Sequence, residues 1–140
     1  MTTTAPRFGW YGDDFTGATD TLAVLAQAGL RSMLFMGVPS AEALTAAGPL
    51  DAVGIAGAAR AMPPDAMQAE LAPVGRFFRQ IAPTVLHYKV CSTFDSAPHV
   101  GNIACAIQTL HPSVDNRWVP TRGGQPSLGR YCAFSNLFAA

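Results

Sequence analysis

Two adjacent carboxylates, Asp13 and Asp14, stand in the stretch Tyr11-Gly12-Asp13-Asp14-Phe15-Thr16-Gly17-Ala18-Thr19-Asp20. A carboxylate accepts hydrogen bonds from hydroxyls, and one placed close enough can orient a hydroxyl as a nucleophile. Before this stretch, Phe8-Gly9-Trp10-Tyr11-Gly12 is an apolar run that suits a buried strand; after it, Leu22, Leu25, Ala26 and Gly29 fall at helical spacing. The carboxylates therefore belong to a strand-to-helix turn. In an open parallel sheet such turns lie at the carboxyl ends of the strands, where ligands bind, and a helix start adds free backbone N–H groups. Asp and Thr also favour helix N-caps. One cap uses one side chain, whereas this turn gathers Asp13, Asp14, Thr16, Thr19 and Asp20 around Gly17.

Two more strand-to-helix turns carry polar groups. A strand at 51–57 leads into Ala58-Ala59-Arg60-Ala61-Met62-Pro63-Pro64-Asp65, and a strand at 84–90, rich in residues that favour strands, leads into Cys91-Ser92-Thr93-Phe94-Asp95-Ser96-Ala97-Pro98. With parallel strands, Asp13, Asp14 and Thr16, then Arg60, then Lys89, Ser92, Thr93, Asp95 and Ser96 leave the same edge of the sheet and converge on one pocket. Two cations, at least two carboxylates and several hydroxyls suit a small polyhydroxylated anion. Arg60 or Lys89 would hold its carboxylate through charge-assisted hydrogen bonds, and the aspartates would accept from its hydroxyls. A carboxylate beside a hydroxyl also suits phosphoryl transfer. Blander roles are open for each residue: a solvated Lys89, an Arg60 paired with Asp65, and Ser92 and Thr93 as turn formers.

The elements that position these turns read as alternating strands and helices. Residues 1 to 6 form a loose polar lead-in, and strands follow at 7–12, 31–37, 51–57 and 84–90. The first helix ends near Ala28, with Gly29 as a left-handed cap and Leu30 as its apolar contact. A short Ala-rich helix spans 41–47 and stops at Gly48-Pro49. Met67, Leu71, Val74, Phe78 and Ile81 make the apolar stripe of a longer helix, which Pro73 should kink or break. Ser96 or Asp95 would cap the last helix, with Pro98 in its first turn and Val100, Ile103, Ile107 and Leu110 on its buried face. Trp118-Val119-Pro120 is a candidate start for a fifth strand. This pattern predicts an α/β fold: a parallel sheet with helices on both faces, three-layered and Rossmann-like, and incomplete. The largely apolar end, Leu128 to Ala140, reads as a stretch that a continuation of the chain would cover.

Composition narrows the class. The chain has 140 residues, enough for one domain with a sizeable core. Nine Lys and Arg are scattered and matched by nine Asp and Glu, so no nucleic-acid footprint is legible. No apolar run is long enough for a membrane helix and the start lacks a signal-peptide pattern, which argues for the cytoplasm. Cys91, Cys105 and Cys132 form no C-x-x-C pair, and His87, His99 and His111 form no H-x-x-x-H pair, so neither a disulfide framework nor a metal site is expected. No G-x-x-x-x-G-K-[ST] loop and no G-x-G-x-x-G occurs, so a nucleotide would have to bind elsewhere.

Taken together, Gly12 to Thr21, Gly54-Ile55-Ala56-Gly57 followed by Arg60, Lys89 to Pro98 with Gly101-Asn102, and Leu128-Gly129-Arg130-Tyr131 with Asn136-Leu137-Phe138 resemble the four-carbon acid sugar kinases, once known only as a domain of unknown function. The second and third pieces look most like the 3-oxo-tetronate kinase branch. The resemblance implies a kinase that transfers a phosphoryl group from ATP, with Mg2+, to the 4-hydroxyl of a four-carbon sugar acid. It implies further that residues 1–140 are the N-terminal part of the sugar-acid-binding domain and that a C-terminal nucleotide-binding domain is absent from this chain, leaving it inactive alone. Carried over residue by residue, substrate contact falls to Asp13, Asp14, Thr16, Arg60, Lys89, Ser92 and Thr93, with Asp14 nearest the reacting hydroxyl. Pro120 to Gln125 departs from the apolar strand end expected of the family there. A stand-alone, non-catalytic module that binds a small hydroxy acid is the alternative, and a homo-oligomer stays open. An aspartate-dependent phosphatase is disfavoured, because its two acids need a spacer and Asp13 and Asp14 have none.

Overall fold

The computed structural model describes residues 5–115 and 117–140; the first four residues of the expected lead-in lie outside the described residues. Strand β1 (Phe8–Gly12) lies inside a four-stranded sheet of order β2-β3-β1-β4, with β2 at Ser32–Phe35, β3 at Ala52–Ala56 and β4 at Val85–Lys89. All three pairings are parallel. Each strand is trimmed by one to three residues from its predicted range. The register puts Gly12 opposite both Ala56 and Lys89, so β1, β3 and β4 end level with one another. That alignment brings the three polar turns to one edge.

Side chains alternate across β1 and so define the two faces. Trp10 points to the side of helix α1 (Phe15–Gln27), where its Nε1 donates to the Ala18 carbonyl at 3.1 Å. Tyr11 points to the other side, into a core with Val53 and Ile55 from β3 and with Met67, Leu71, Val74 and Phe78 from helix α3 (Pro64–Ile81). Helix α2 (Ala41–Ala47) packs Leu44 against that same core, and helix α4 (Ile103–Leu110) contributes Cys105, Ala106 and Leu110. The three-layer α/β arrangement expected from the sequence is present. Gly29, at φ +81°, closes α1 while the Leu30 N–H reaches the Leu25 carbonyl, the cap expected there.

Three local readings need correction. Pro73 does not break α3, which runs on through Ile81. The missing N–H costs one bond, but the stripe of Met67, Leu71, Val74 and Phe78 is buried along the sheet, and that packing holds both halves in line. Helix α4 is capped not by Asp95 or Ser96 but by Asn102, whose Oδ1 accepts from the Cys105 N–H at 3.0 Å. Gly101, at φ +57°, reverses the chain just before it, so Pro98 and Val100 stay outside the helix. Ser96 still contributes, accepting from the Ile103 N–H at 3.0 Å. Finally, Trp118 to Pro120 forms no strand. The chain instead ends in a separate antiparallel hairpin, β5 (Arg130–Ala133) and β6 (Asn136–Ala139), turned by Phe134 and Ser135 at φ +49° and +62°. Positive φ at both turn residues matches the twist of a two-residue hairpin. Phe134 is 97% exposed at its tip.

The open outer edge of β4 lies along a cavity of about 1050 Å³, walled by Val24 of α1, Leu86 of β4, Ile107 of α4 and Val119 among others. Among the described residues no helix is long and apolar enough to cross a membrane.

One close approach inside the sheet is testable. A Cβ on Gly54 would fall 2.1 Å from the Trp10 ring, whereas a Cβ on Gly37 would meet nothing within 4 Å. Gly54→Ala should therefore destabilise the chain by about 1–3 kcal/mol through overpacking, and Gly37→Ala should shift stability by about 0.5 kcal/mol or less; urea denaturation midpoints separate the two.

Candidate functional site

Asp14 is the N-cap of α1. Its backbone is extended, and its Oδ1 accepts from the Gly17 N–H at 2.7 Å. Capping alone does not describe it, because Oδ2 is taken by Arg60 Nη1 at 2.7 Å. Asp13 sits one residue earlier with its side chain only 5% exposed. Arg60 grips it side-on, with Nη2 to Oδ1 at 2.6 Å and Nε to Oδ2 at 3.3 Å. Arg60 thus pairs with the two aspartates at the end of β1 and not with Asp65.

This pairing follows from backbone geometry. The chain leaving β3 passes Gly57, whose N–H bonds the Gly12 carbonyl at 3.1 Å, and enters a 3-10 turn, Ala59–Ala61. There the Arg60 N–H bonds the Asp13 carbonyl at 3.1 Å. On the far side the Asp13 N–H bonds the Lys89 carbonyl at 3.0 Å, so the ends of β3, β1 and β4 are laced together through Asp13. A side chain fixed on such a backbone loses little further freedom when it forms its ion pair.

The third turn divides. Lys89 is half-buried, and its Nζ donates to the Val90 carbonyl at 2.7 Å. Among the described residues it makes no ion pair. A Cβ on Gly17, itself buried, would lie 2.7 Å from Asp14 Oδ1 and 3.5 Å from Lys89 Nζ, so only glycine fits where those two groups close on the start of α1. Ser92 lines the large cavity together with Lys89 and Cys91. Thr93 is exposed and donates to Asp95 Oδ2 at 2.5 Å. Thr16 is also exposed, its carbonyl accepting from the Thr19 hydroxyl at 2.8 Å. The structure therefore assembles Asp13, Asp14, Arg60 and Lys89 tightly, keeps Ser92 on the cavity side, and leaves Thr16 and Thr93 at the rim.

Two neighbours were not singled out from the sequence as site residues. Cys91 carries a thiol pulled below its usual pKa, first by the Thr93 N–H and hydroxyl and then by the Arg60 guanidinium. Its place beside Ser92 in the turn was the available signal. Tyr88 stacks on Tyr11 with ring centroids 5.7 Å apart. Burial pushes its hydroxyl pKa up, and the Asp13 charge pushes it further. Tyr11 is also raised by burial and by Glu70, to which its hydroxyl donates at 3.2 Å. Among the described residues no cluster of His, Cys, Asp and Glu has the arrangement of a metal site. Three of the four carboxylate oxygens on Asp13 and Asp14 accept from Arg60, and the fourth accepts a helix N–H.

Residues 8–140 match the family described as the sugar-binding N-terminal domain. A 3-oxo-isoapionate kinase of Paraburkholderia graminis is 40% identical over 94% of this chain and 28% of its own length. The 3-oxo-tetronate kinases of Pseudomonas savastanoi pv. phaseolicola and Escherichia coli are 34% and 33% identical, over 30% and 33% of their own lengths. The chain thus spans about a third or less of the curated relatives it matches. A crystal structure of a Salmonella typhimurium LT2 protein, provisionally labelled a tRNA synthase, superposes at a TM-score of 0.78 with 28% identity, over 89% of this chain and 29% of that one.

The Asp13 carboxyl is held above its ordinary 3.8, because burial raises it more than Arg60 lowers it. A carboxyl raised in the folded state binds its proton more tightly there than in the unfolded chain. Its contribution to stability is full below pH 3.8 and is lost as pH rises through the folded value. Asp13→Asn removes that loss. The stability of the variant relative to the native chain should increase from about pH 4 to about pH 7, read from urea midpoints; a difference independent of pH would contradict the burial of a titrating carboxyl.

Proposed function

This chain belongs to the sugar-binding N-terminal domain family, and from that premise we propose that it is the substrate-binding part of an ATP-dependent kinase acting on a 3-oxo sugar acid. The relatives' names, 3-oxo-isoapionate kinase and 3-oxo-tetronate kinase, share a carboxylate and a ketone at the same position. In this reading the substrate is of the four-carbon, 3-oxo-tetronate type and its 4-hydroxyl receives the phosphoryl group. The observation that carries the proposal is that the Lys89 ammonium and the Asp14 carboxylate come together over Gly17, at the border of the cavity that Lys89 and Ser92 line. A cation with no ion pair among the described residues, beside a carboxylate that keeps free lone pairs, can grip the two ends of a short hydroxy acid.

Roles follow from position. Lys89 holds the carboxylate of the acid, and the Ser92, Thr93 and Thr16 hydroxyls contact its oxygens from the cavity side and the rim. Asp14 accepts the hydrogen of the reacting hydroxyl and turns that oxygen outward; as the hydroxyl becomes a nucleophile, the proton passes to this carboxylate. Asp13 supports Asp14 through the Arg60 guanidinium they share. Neither a G-x-x-x-x-G-K-[ST] loop nor a G-x-G-x-x-G is present to cradle phosphates, so in this reading the phosphoryl donor is held by another part of the enzyme. By themselves these residues bind and orient. A non-catalytic hydroxy-acid-binding module would show the same binding, and the addition of a nucleotide domain is what separates the two readings.

Isothermal titration with D-erythronate, D-threonate and their 3-oxo relatives tests the proposal. One of these acids should bind, and Asp14→Asn and Lys89→Ala should each weaken it by about tenfold or more, the scale of a lost charge-assisted hydrogen bond. ATP alone should give no heat. A folded chain that binds none of the acids would refute the reading.

A further inference from the structure

We propose that Arg60 is a positioning residue: its guanidinium clamps Asp13 and Asp14 in their working geometry, and the anionic end of a ligand falls to Lys89 alone. An arginine at the edge of an acid-binding site would ordinarily be taken as the anion receptor. Here the side-on face of the guanidinium, Nε and Nη2, is filled by Asp13 at 3.3 and 2.6 Å, and Nη1 is held by Asp14 at 2.7 Å. A ligand carboxylate could take that face only by displacing Asp13, whose side chain is 5% exposed and would be left as a buried, unpaired charge. The ion triad carries one net negative charge, so an incoming anion is repelled by it as a unit and attracted by the ammonium beside it.

The backbone of Arg60 is fixed from two sides, as a clamp requires. Its N–H bonds the Asp13 carbonyl at 3.1 Å. On the other side, Gly101 packs so closely that a Cβ there would lie 2.6 Å from the Arg60 carbonyl oxygen, and the Gly101 N–H bonds the Met62 carbonyl at 3.0 Å. The loop entering α4 therefore pins the 3-10 turn that carries the guanidinium. Every charged or titratable group around Asp13 takes part in its balance: Asp14 on its own turn, Arg60 after β3, and Lys89 and Tyr88 on β4, with Cys91 facing Arg60. Of these Arg60 is the strongest group favouring the ionised form.

The assignment of the anion to Lys89 rests on the sugar-acid reading, whereas the clamp does not, and the test separates them. Carbon-detected NMR titration of the Asp13 carboxyl, without any ligand, is compared in the native chain, Arg60→Gln and Arg60→Lys from about pH 3 to about pH 9. Arg60→Gln should move the midpoint upward by about one unit or more, and Arg60→Lys by less, because an ammonium cannot form the side-on pair. An unmoved midpoint in a folded Arg60→Gln chain overturns the clamp. In the binding arm, with D-erythronate and D-threonate as probes, Arg60→Gln should lose affinity at a pH below the Asp13 midpoint measured in that variant and recover much of it at a pH above that midpoint, where Asp13 is ionised without help. An equal loss at both pH values, with the Asp13 midpoint unmoved, makes Arg60 a direct ligand contact and overturns the proposal. Should Arg60→Gln fail to fold, the pair Asp13→Asn and Asp13→Asn/Arg60→Gln carries the test, since no buried carboxylate is stranded. Adding Arg60→Gln there should cost the acid less than about threefold, and a loss of about tenfold or more overturns the clamp.

Discussion

Two neighbouring carboxylates cannot both lie ionised at the end of a buried strand unless a cation stands against them. Arg60 supplies that cation, at 2.6 Å from Asp13 and 2.7 Å from Asp14, and it comes from the end of the adjacent strand. The ion triad therefore ties β1 to β3 by charge where their ladder of backbone bonds stops. Breaking such a pair from one side leaves an uncompensated buried charge, which typically costs about 3–5 kcal/mol. The position of every other group at the sheet edge is referred to this triad: α1 starts from Asp14, the turn after β3 hangs from Asp13, and the loop before α4 packs on the Arg60 carbonyl.

The sheet meets that constraint through register. Gly12, Ala56 and Lys89 lie level, so three turns from distant parts of the sequence open at one height. The two faces are unequally covered. On the Tyr11 face, α3 and α4 bury a continuous apolar core; on the Trp10 face, α1 buries only Gly17 and Ala18 and leaves Val24 64% exposed. The indole bond from Trp10 to the Ala18 carbonyl matters more for that reason, since it holds the start of α1 over β1 where side-chain packing is thin. Lys89 stands where the polar edge meets the cavity beside β4, with charge on one side and apolar walls on the other.

The match over residues 8–140 says that this is a sugar-binding N-terminal domain. In the geometry both Asp13 oxygens are taken by Arg60, and Lys89 makes no ion pair among the described residues. A site whose charges are already balanced within the protein changes little when an acid arrives, and such preorganisation lowers the cost of binding.

The strand-helix alternation, the apolar stripe of α3 and the left-handed cap at Gly29 were legible from residue order, because each depends on neighbours within a few positions. So was the gathering of Asp13, Asp14, Arg60 and Lys89 at one edge, which follows once the strands are parallel. Local rules failed where distant packing competed with them. Pro73 is carried through α3 by the core beneath it, α4 starts only after Gly101 has turned the chain, and Trp118 to Pro120 adds no fifth strand to the sheet. The sequence by itself determined the residue types at the sheet edge and their order along the chain. Only the tertiary structure decided that Arg60 forms ion pairs with Asp13 and Asp14 and that Lys89 forms none with them, because that choice is made by strand register and burial, which no spacing along the chain encodes.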